Sequence, residues 1–465
     1  MEGRMTRRMI GALHARLPEA GLDEVDDPRR QASVRWSLGT ILNTCVTAFV
    51  TGRQSLSQME ALTDEMSPAL RAYLGLPRRL ADTTVRDTLV QLEPRALRLA
   101  LQRQVRAARR RKALAPQGLP FGVVSLDGKY STVQDTKSEY TQSSSTGCWQ
   151  GARLGTVTSS LISAAAKPCL DVHPIKAGWG EETVYSQALA SLLAAYGPDL
   201  FKLVMYDAGV CSQASARETC ELGLDYMFRL KQGKQQKLYL AAQQQLEGRP
   251  LDAADAVVRG TFLAAPERRS VYLCERVATW PKWTGMKTVV RILWEKLDDQ
   301  GRTVQRENRY YVSSLAQDAL APEQWIAIGR GHWAVENNCH HTLDAVLRED
   351  DRQWITSDAQ GTLVVMTLRR IAYNILSLFR SVTQRGADNR LTPWRDICRR
   401  FYSALLVATA AQLAGIRPRT VAHGKESPAA RTRSLAGPSA LPIFLEKAPH
   451  LAGPRRRWLC HSSLT

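Results

Sequence analysis

Three acids in this 465-residue chain stand where a fold could bring them together. Asp127 and Asp207 each close a short apolar run (121–126 and 201–206), and Glu336 lies midway along the half-apolar stretch 323–352. Open α/β sheets carry functional groups at the C-terminal ends of their strands, the position both aspartates would take. Three carboxylates gathered on one sheet form a hard-oxygen site suited to Mg²⁺ or Mn²⁺. Two such ions about 4 Å apart can activate a nucleophile and stabilise the leaving oxygen of a phosphoryl displacement. Each acid also has a plainer reading. Asp127-Gly128 is a hairpin-turn dipeptide, Asp207-Ala208-Gly209 could cap a turn, and Glu336 could be a half-exposed helix acid. His332, Glu336 and His340 could together hold zinc, although three ligands at four-residue steps are not a standard zinc set.

The elements that must position these residues can be read from the pattern. Trp325, Ile328, Trp333, Val335, Leu343, Val346 and Leu347 recur mostly at three- and four-residue steps, and no proline follows Pro322. This predicts one amphipathic helix over 323–352, with His332, Glu336, His340 and Asp344 sharing a face. Residues 1–115 read as an all-α region. Its last helix ends in RQVRAARRRK, where Arg106, Arg109 and Arg110 are either a solvated helix end or, as we favour, a phosphate-tracking arm. After a linker at 116–120, strands are expected at 121–126, 157–162 and 169–175, with a polar loop over 131–147. Helix 183–196, strand 201–206, helix 211–222 and strand 225–230 follow, so 121–231 reads as a mixed α/β sheet. From 232 to 316 the α/β rhythm gives way to strand runs, and a β-rich insertion is expected. Residues 321–415 hold the Glu336 helix and two more helices, and 416–465 read as a basic, disordered tail.

The chain carries a formal net charge of +19 with a pI near 9.8, which favours a polyanionic partner, nucleic acid first. Its nine cysteines contain no Cys-x-x-Cys pair, the pattern of a reduced, cytoplasmic protein. The first twenty residues lack a signal-peptide core, and the apolar run 36–50 is short for a membrane span and holds Asn43, Thr44 and Thr47. A soluble protein with no membrane partner is expected.

Arg330-Gly-His-Trp-Ala-Val-Glu336-Asn337, followed by His340, Leu343-Asp344 and Glu349-Asp350, resembles the helix motif of bacterial insertion-sequence DDE transposases with a ribonuclease-H-like core. The resemblance is to the branch with a His-Trp-x-x-Glu-Asn signature. Asp127-Gly128-Lys129 matches the first-acid motif and Tyr206-Asp207-Ala208 the second. Asp225-Tyr226 with Leu230-Lys231 and Gln235 matches the following strand. Asp27-Pro28-Arg29-Arg30 with the 38–49 helix resembles the family's N-terminal associated domain. The resemblance implies Asp127, Asp207 and Glu336 as catalytic metal ligands for two Mg²⁺ or Mn²⁺ ions. It implies Lys129, Lys231, Arg330, His332 and Asn337 as DNA contacts, and hydrolysis at element ends followed by attack of the freed 3′-hydroxyls on target DNA. It further implies a homodimer on double-stranded DNA, at the nucleoid in the cytoplasm. A nuclease that cleaves without joining, and a DNA-binding descendant without catalysis, remain as alternatives. Better-known relatives carry Tyr, Arg and Lys at −7, −4 and +7 from the glutamate. Here those places hold Gly329, His332 and Leu343, and Tyr130-Ser131-Thr132-Val133 replaces the usual continuation after Lys129.

Overall fold

The computed structural model describes residues 2–30, 32, 34–146, 149–207, 209–262, 265–276, 280–384, 391–414 and 416. Among the described residues the chain opens with six α-helices: α1 (Glu2–Arg16), α2 (Leu38–Val50), α3 (Leu56–Glu65), α4 (Pro68–Leu74), α5 (Asp82–Leu89) and α6 (Pro94–Arg110). Ser37, Ser55 and Ser67 start three of them, each accepting a hydrogen bond from the backbone N–H three residues on, at 3.1, 3.1 and 3.3 Å. The turn before α2 is tied by Asp27, whose carboxylate takes two bonds from the Arg29 guanidinium (2.8 and 2.7 Å). The same guanidinium reaches the Trp36 carbonyl at 2.8 Å.

A single sheet follows. Its strands are β1 (Val123–Val133), β2 (Thr141–Thr146), β3 (Trp149–Leu161) and β4 (Cys169–Pro174); after α7 (Glu181–Tyr196) come β5 (Leu203–Tyr206), α8 (Gln213–Glu221) and β6 (Asp225–Arg229). Beyond α9 (Gln236–Leu246) the chain adds β7 (Ala256–Phe262), β8 (Ala265–Glu275), β9 (Thr288–Leu297) and β10 (Thr303–Ser313). β3 lies antiparallel between β1 and β4, while β1, β5 and β6 run parallel. The order β4-β3-β1-β5-β6 is that of a ribonuclease-H-like sheet.

Three expectations are corrected here. The apolar run before Asp127 ends at Leu126, but the strand does not. β1 continues to Val133 because every residue through it pairs with β3, and Asp127-Gly128 faces Thr158-Val157 instead of turning. The polar stretch expected as loop is partly strand: 131–133 belong to β1, and 141–146 form β2, which finds its partner in β3. Residues 232–316 are β-rich, yet they are no separate insertion body. β10 pairs antiparallel with β6, and β9, β8 and β7 continue the same sheet. The unsatisfied edge of β6 is the physical reason, because a meander next in sequence covers it.

The C-terminal helices are α10 (Pro322–His332), α11 (His341–Ala345), α12 (Ala359–Leu378), α13 (Trp394–Val407) and α14 (Ala410–Ala414). α12 and the turn after it are long and apolar enough to cross a membrane, but this helix is wholly buried, against α2, α6 and β4. Phe49 and Leu101 of the N-terminal helices share one core with Leu368, Leu376 and Phe401. The N-terminal helices therefore share one core with α11, α12 and α13, while α10 packs on the sheet. The tail expected over 416–465 lies, Ile416 aside, outside the described residues.

Candidate active site

The parallel register of β1 and β5 sets the two aspartates side by side. Val123, Val124 and Ser125 pair with Leu203, Val204 and Met205. Carried two residues further, this register brings Asp127 abreast of Asp207, where β5 has ended and β1 continues. Neighbouring strands lie about 4.8 Å apart, so a notch opens beside β1 with a carboxylate on each side. Side chains alternate across a strand. Asp127 and Asp207 therefore share the face of Val123, Leu203 and Met205, which is covered by Trp325 and Ile328 of α10. Val124, Leu126, Val204 and Tyr206 point the other way, to α7.

Glu336 reaches this notch from a broken helix. The expected single helix over 323–352 is instead α10, a π-helical turn at Val335–His340 and α11, and Arg348 beyond it has a positive φ of 56°. Such single-turn widenings recur at functional sites. The segment still runs along β1 like a zipper. Ser125 Oγ meets His332 Nδ1 at 2.7 Å, His340 Nδ1 meets Asp127 Oδ2 at 3.1 Å, and Lys129 Nζ contacts Asp344. Ser131 Oγ donates to Asp350 at 3.3 Å. Every second residue of β1 thus meets the helical segment or its following turn, and Glu336 falls between His332 and His340. Gly329 lets α10 approach the sheet, since a Cβ there would stand 2.4 Å from Ile292 Cδ1. That packing accounts for glycine at the −7 place.

The notch is acidic and flanked by cations. Burial, then the charges of Asp127 and Asp207, push the Glu336 carboxyl above its ordinary range, against the pull of His340 and Arg229. Arg229 stands 3.5 Å from Asp207 and 3.5 Å from Glu307. Glu307 in turn grips Arg309 at 2.7 Å, and the Arg309 guanidinium lies over the Trp333 ring, 3.5 Å from its centroid. This chain runs from β5 through β6 and β10 to the turn preceding Glu336, so β10 helps to place the glutamate. The donor set suits a hard divalent cation. It is all carboxylate oxygen, and Asp207 Oδ1 is buried with no hydrogen-bond partner among the described residues. As the side chains stand, no three His, Cys, Asp or Glu residues among those described converge closely enough to ligate one ion.

The residues expected to contact DNA separate into two groups. Arg330, Asn337 and Lys231 are exposed. Lys129 is not: it is buried, with its ammonium enclosed by Asp344, Glu349 (3.2 Å) and Asp350 (3.2 Å). His332 is also buried and turned to Ser125, and burial lowers its ionisation, so it presents no cation to a phosphate. Both expectations are corrected, because the β1 zipper uses these side chains internally. The basic end of α6 is not a free arm. Arg109 bonds the Tyr196 carbonyl (2.5 Å), Arg111 pairs with Glu19, and Arg103 bonds the Gly21 carbonyl (2.8 Å). Arg106 is half-buried and Arg110 is exposed. Sequence reasoning missed Arg229, Arg309 and Arg370. The one signal available was Arg369-Arg370 inside an apolar helix, since buried charges require partners. Arg370 has Glu349 at 2.8 Å, both side chains almost completely buried.

Residues 122–375, more than half of the chain, match the family described as Transposase DDE domain. The chain belongs to the DDE transposases. That match runs from the residue before β1 into α12 and contains the whole notch. Residues 20–104 match the region described as DDE_Tnp_1-associated. The chain is similar to YhhI of Escherichia coli (strain K12), named as an H repeat-associated transposase. The two are 28% identical over 185 residues, 38% of this chain and 47% of the relative. YbfL of the same organism matches at the same identity and coverage, so the chain spans about half the length of the relatives it matches. A cryo-EM structure of the piggyBac transposase synaptic complex with hairpin DNA aligns with a TM-score of 0.39 at 10% identity. The alignment covers 90% of this chain and 86% of that one.

Proposed function

We propose that this DDE transposase cuts the ends of an insertion element and joins the freed 3′-hydroxyls to target DNA, using Asp127, Asp207 and Glu336 as its metal-holding carboxylates. The observation that carries this reading is the β1–β5 register, which sets Asp127 abreast of Asp207 on the face that the Glu336 segment covers. Two divalent ions, Mg²⁺ or Mn²⁺, supply when bound the charge that activates an attacking oxygen and stabilises the leaving one. The protein's own groups do the rest. The half-exposed Asp207 and exposed Glu336 carboxylates have room to swing towards Asp127, whose Oδ2 is held by His340 Nδ1. Arg229 limits the repulsion among the acids until cations arrive. Exposed Arg330, Asn337 and Lys231 are the groups offered to the phosphate backbone, and Arg106, Arg109 and Arg110 are at most secondary contacts. Joining two ends to one target needs two such sites, so a homodimer on double-stranded DNA is the working form, at the nucleoid.

The test is Mg²⁺-dependent cleavage of DNA carrying the element's flanking ends, wild type against Glu336→Gln. Loss of cleavage by about 10²–10³-fold with DNA binding retained is expected, the scale of removing a transition-state electrostatic group. Equal cleavage by both proteins would remove Glu336 from the mechanism. Tight binding without cleavage by either would favour a DNA-binding descendant, and cleavage without strand transfer a nuclease.

A further inference from the structure

We propose that Glu181 is a fourth carboxylate of the same divalent-cation site, reaching it from the sheet face opposite Glu336. The proposal rests on the three-carboxylate reading above and deepens it. Glu181 is the first residue of α7, the helix packed on the β1–β5 face that carries Leu126 and Tyr206. Its carboxylate occupies the space a side chain at position 128 would fill. A Cβ on Gly128 would stand 2.1 Å from Glu181 Oε1, 2.2 Å from Cδ and 2.6 Å from Oε2. On the other strand the Tyr206 hydroxyl donates to Glu181 Oε2 at 3.2 Å. Gly128 directly follows Asp127, and Tyr206 directly precedes Asp207. Glu181 is thus lodged at the mouth of the notch, between the neighbours of both aspartates, and the charges of both aspartates act on it.

A helix-start acid has a plainer use, complementing the helix dipole, but Glu182 already serves it from the exposed side while pairing with Lys234 at 3.3 Å. Glu181 is turned inward instead, and among the described residues no Lys or Arg forms an ion pair with it. An inward carboxylate with no ion pair among the described residues, drawn only by the charge of Lys234, stands beside an Asp207 Oδ1 that accepts no hydrogen bond and has Arg229 at 3.5 Å, a set that a further cation would complete. Missing volume at Gly128 is what lets a group from the α7 face come this close to Asp127. Glu181 would hold the ion on the Asp127–Asp207 side directly or through one of its waters, and Glu336 would close the site from the opposite face.

The experiment measures Mn²⁺ binding to the full-length protein without DNA, from the free-ion electron paramagnetic resonance signal. Glu181→Gln keeps the shape and an acceptor for the Tyr206 hydroxyl, and is compared with wild type, Asp127→Asn and Glu336→Gln. Affinity weakened by about tenfold or more in Glu181→Gln is expected, with the metal-free melting temperature unchanged or raised because a repulsive charge is gone. Gly128→Ser, which would displace the Glu181 carboxylate, should weaken Mn²⁺ binding in the same direction and add little on top of Glu181→Gln. Affinity within about twofold of wild type for Glu181→Gln, while Asp127→Asn and Glu336→Gln lose binding, would overturn this proposal and leave the three-carboxylate reading standing. Unchanged affinity in all three variants would overturn both.

Discussion

At the scale of single residues, the charge most committed to position is Glu349. Its carboxylate takes the Arg370 guanidinium at 2.8 Å and the Lys129 ammonium at 3.2 Å, with essentially no exposure. Burial alone would push its carboxyl up; the Arg370 and Lys129 charges reverse this and hold it at about 2, against an ordinary 4.5. A depressed carboxyl stabilises the folded state above its unfolded value and loses that contribution as pH falls through the folded one. Glu349→Gln leaves two buried cations short of a partner, which costs about 3–5 kcal/mol in comparable settings. Urea denaturation at pH 7 should show that loss, and the gap between variant and wild type should narrow as pH is lowered from 4.5 towards 2. A gap that stays constant through this range would mean the pair contributes nothing through its charge. Lys129 belongs to the same cluster, which makes it a positioning residue for the Glu336 segment and removes it from the DNA contacts.

At the scale of elements, close packing of α10 on the sheet decides where Glu336 lands. Gly329→Ala gains about 1 kcal/mol of helix propensity but drives a methyl into Ile292 Cδ1, and overpacking of this kind costs about 1–3 kcal/mol. A net loss of about 1 kcal/mol is expected in thermal melts, with recovery in the Gly329→Ala/Ile292→Val double variant because the methyl that clashes is removed. Loss without recovery would place the strain elsewhere. Elements with strong local patterns were legible in the sequence: the N-terminal helices, α7, α12, and the apolar halves of β1, β5 and β6. The three acids were singled out on local signals, the ends of two apolar runs and a motif-borne glutamate, and the structure sets Asp207 at the end of β5 but Asp127 within β1. What stayed hidden depended on partners far along the chain. β1 runs past Asp127-Gly128 only because β3 pairs with it, and β2 is strand for the same reason. The β7–β10 meander joins the core through one edge that sequence periodicity does not name. The π-helical turn at Val335–His340 interrupts a stretch whose apolar spacing is fully compatible with an unbroken helix. Lys129 was expected at DNA on the resemblance alone; its three carboxylate partners lie more than 200 residues away in sequence, beyond any local signal.

At the scale of the whole molecule, the N-terminal helices are part of the catalytic body's support. α12 is buried over its length by α2 and α6 on one side and β4 on the other, with Gln104 reaching the Ile371 carbonyl at 3.1 Å. Each large apolar side chain exposed by removing that cover forfeits about 1.5–3 kcal/mol. A fragment of residues 116–384 is therefore expected to aggregate or to melt without a cooperative transition, as followed by circular dichroism. A sharp, two-state melt of that fragment would show that the DDE core folds without its N-terminal neighbours. The shared core also has a consequence for how the protein is made. A chain emerging from the ribosome carries Asp127 and Asp207 long before Glu336, and α2 and α6 wait for α12 until residue 378 has been released. A translation product cut short between Asp207 and Glu336 holds two of the acids and lacks both the third and α12, the helix that α2 and α6 pack against, so on the three-carboxylate reading such a copy is born with an incomplete site.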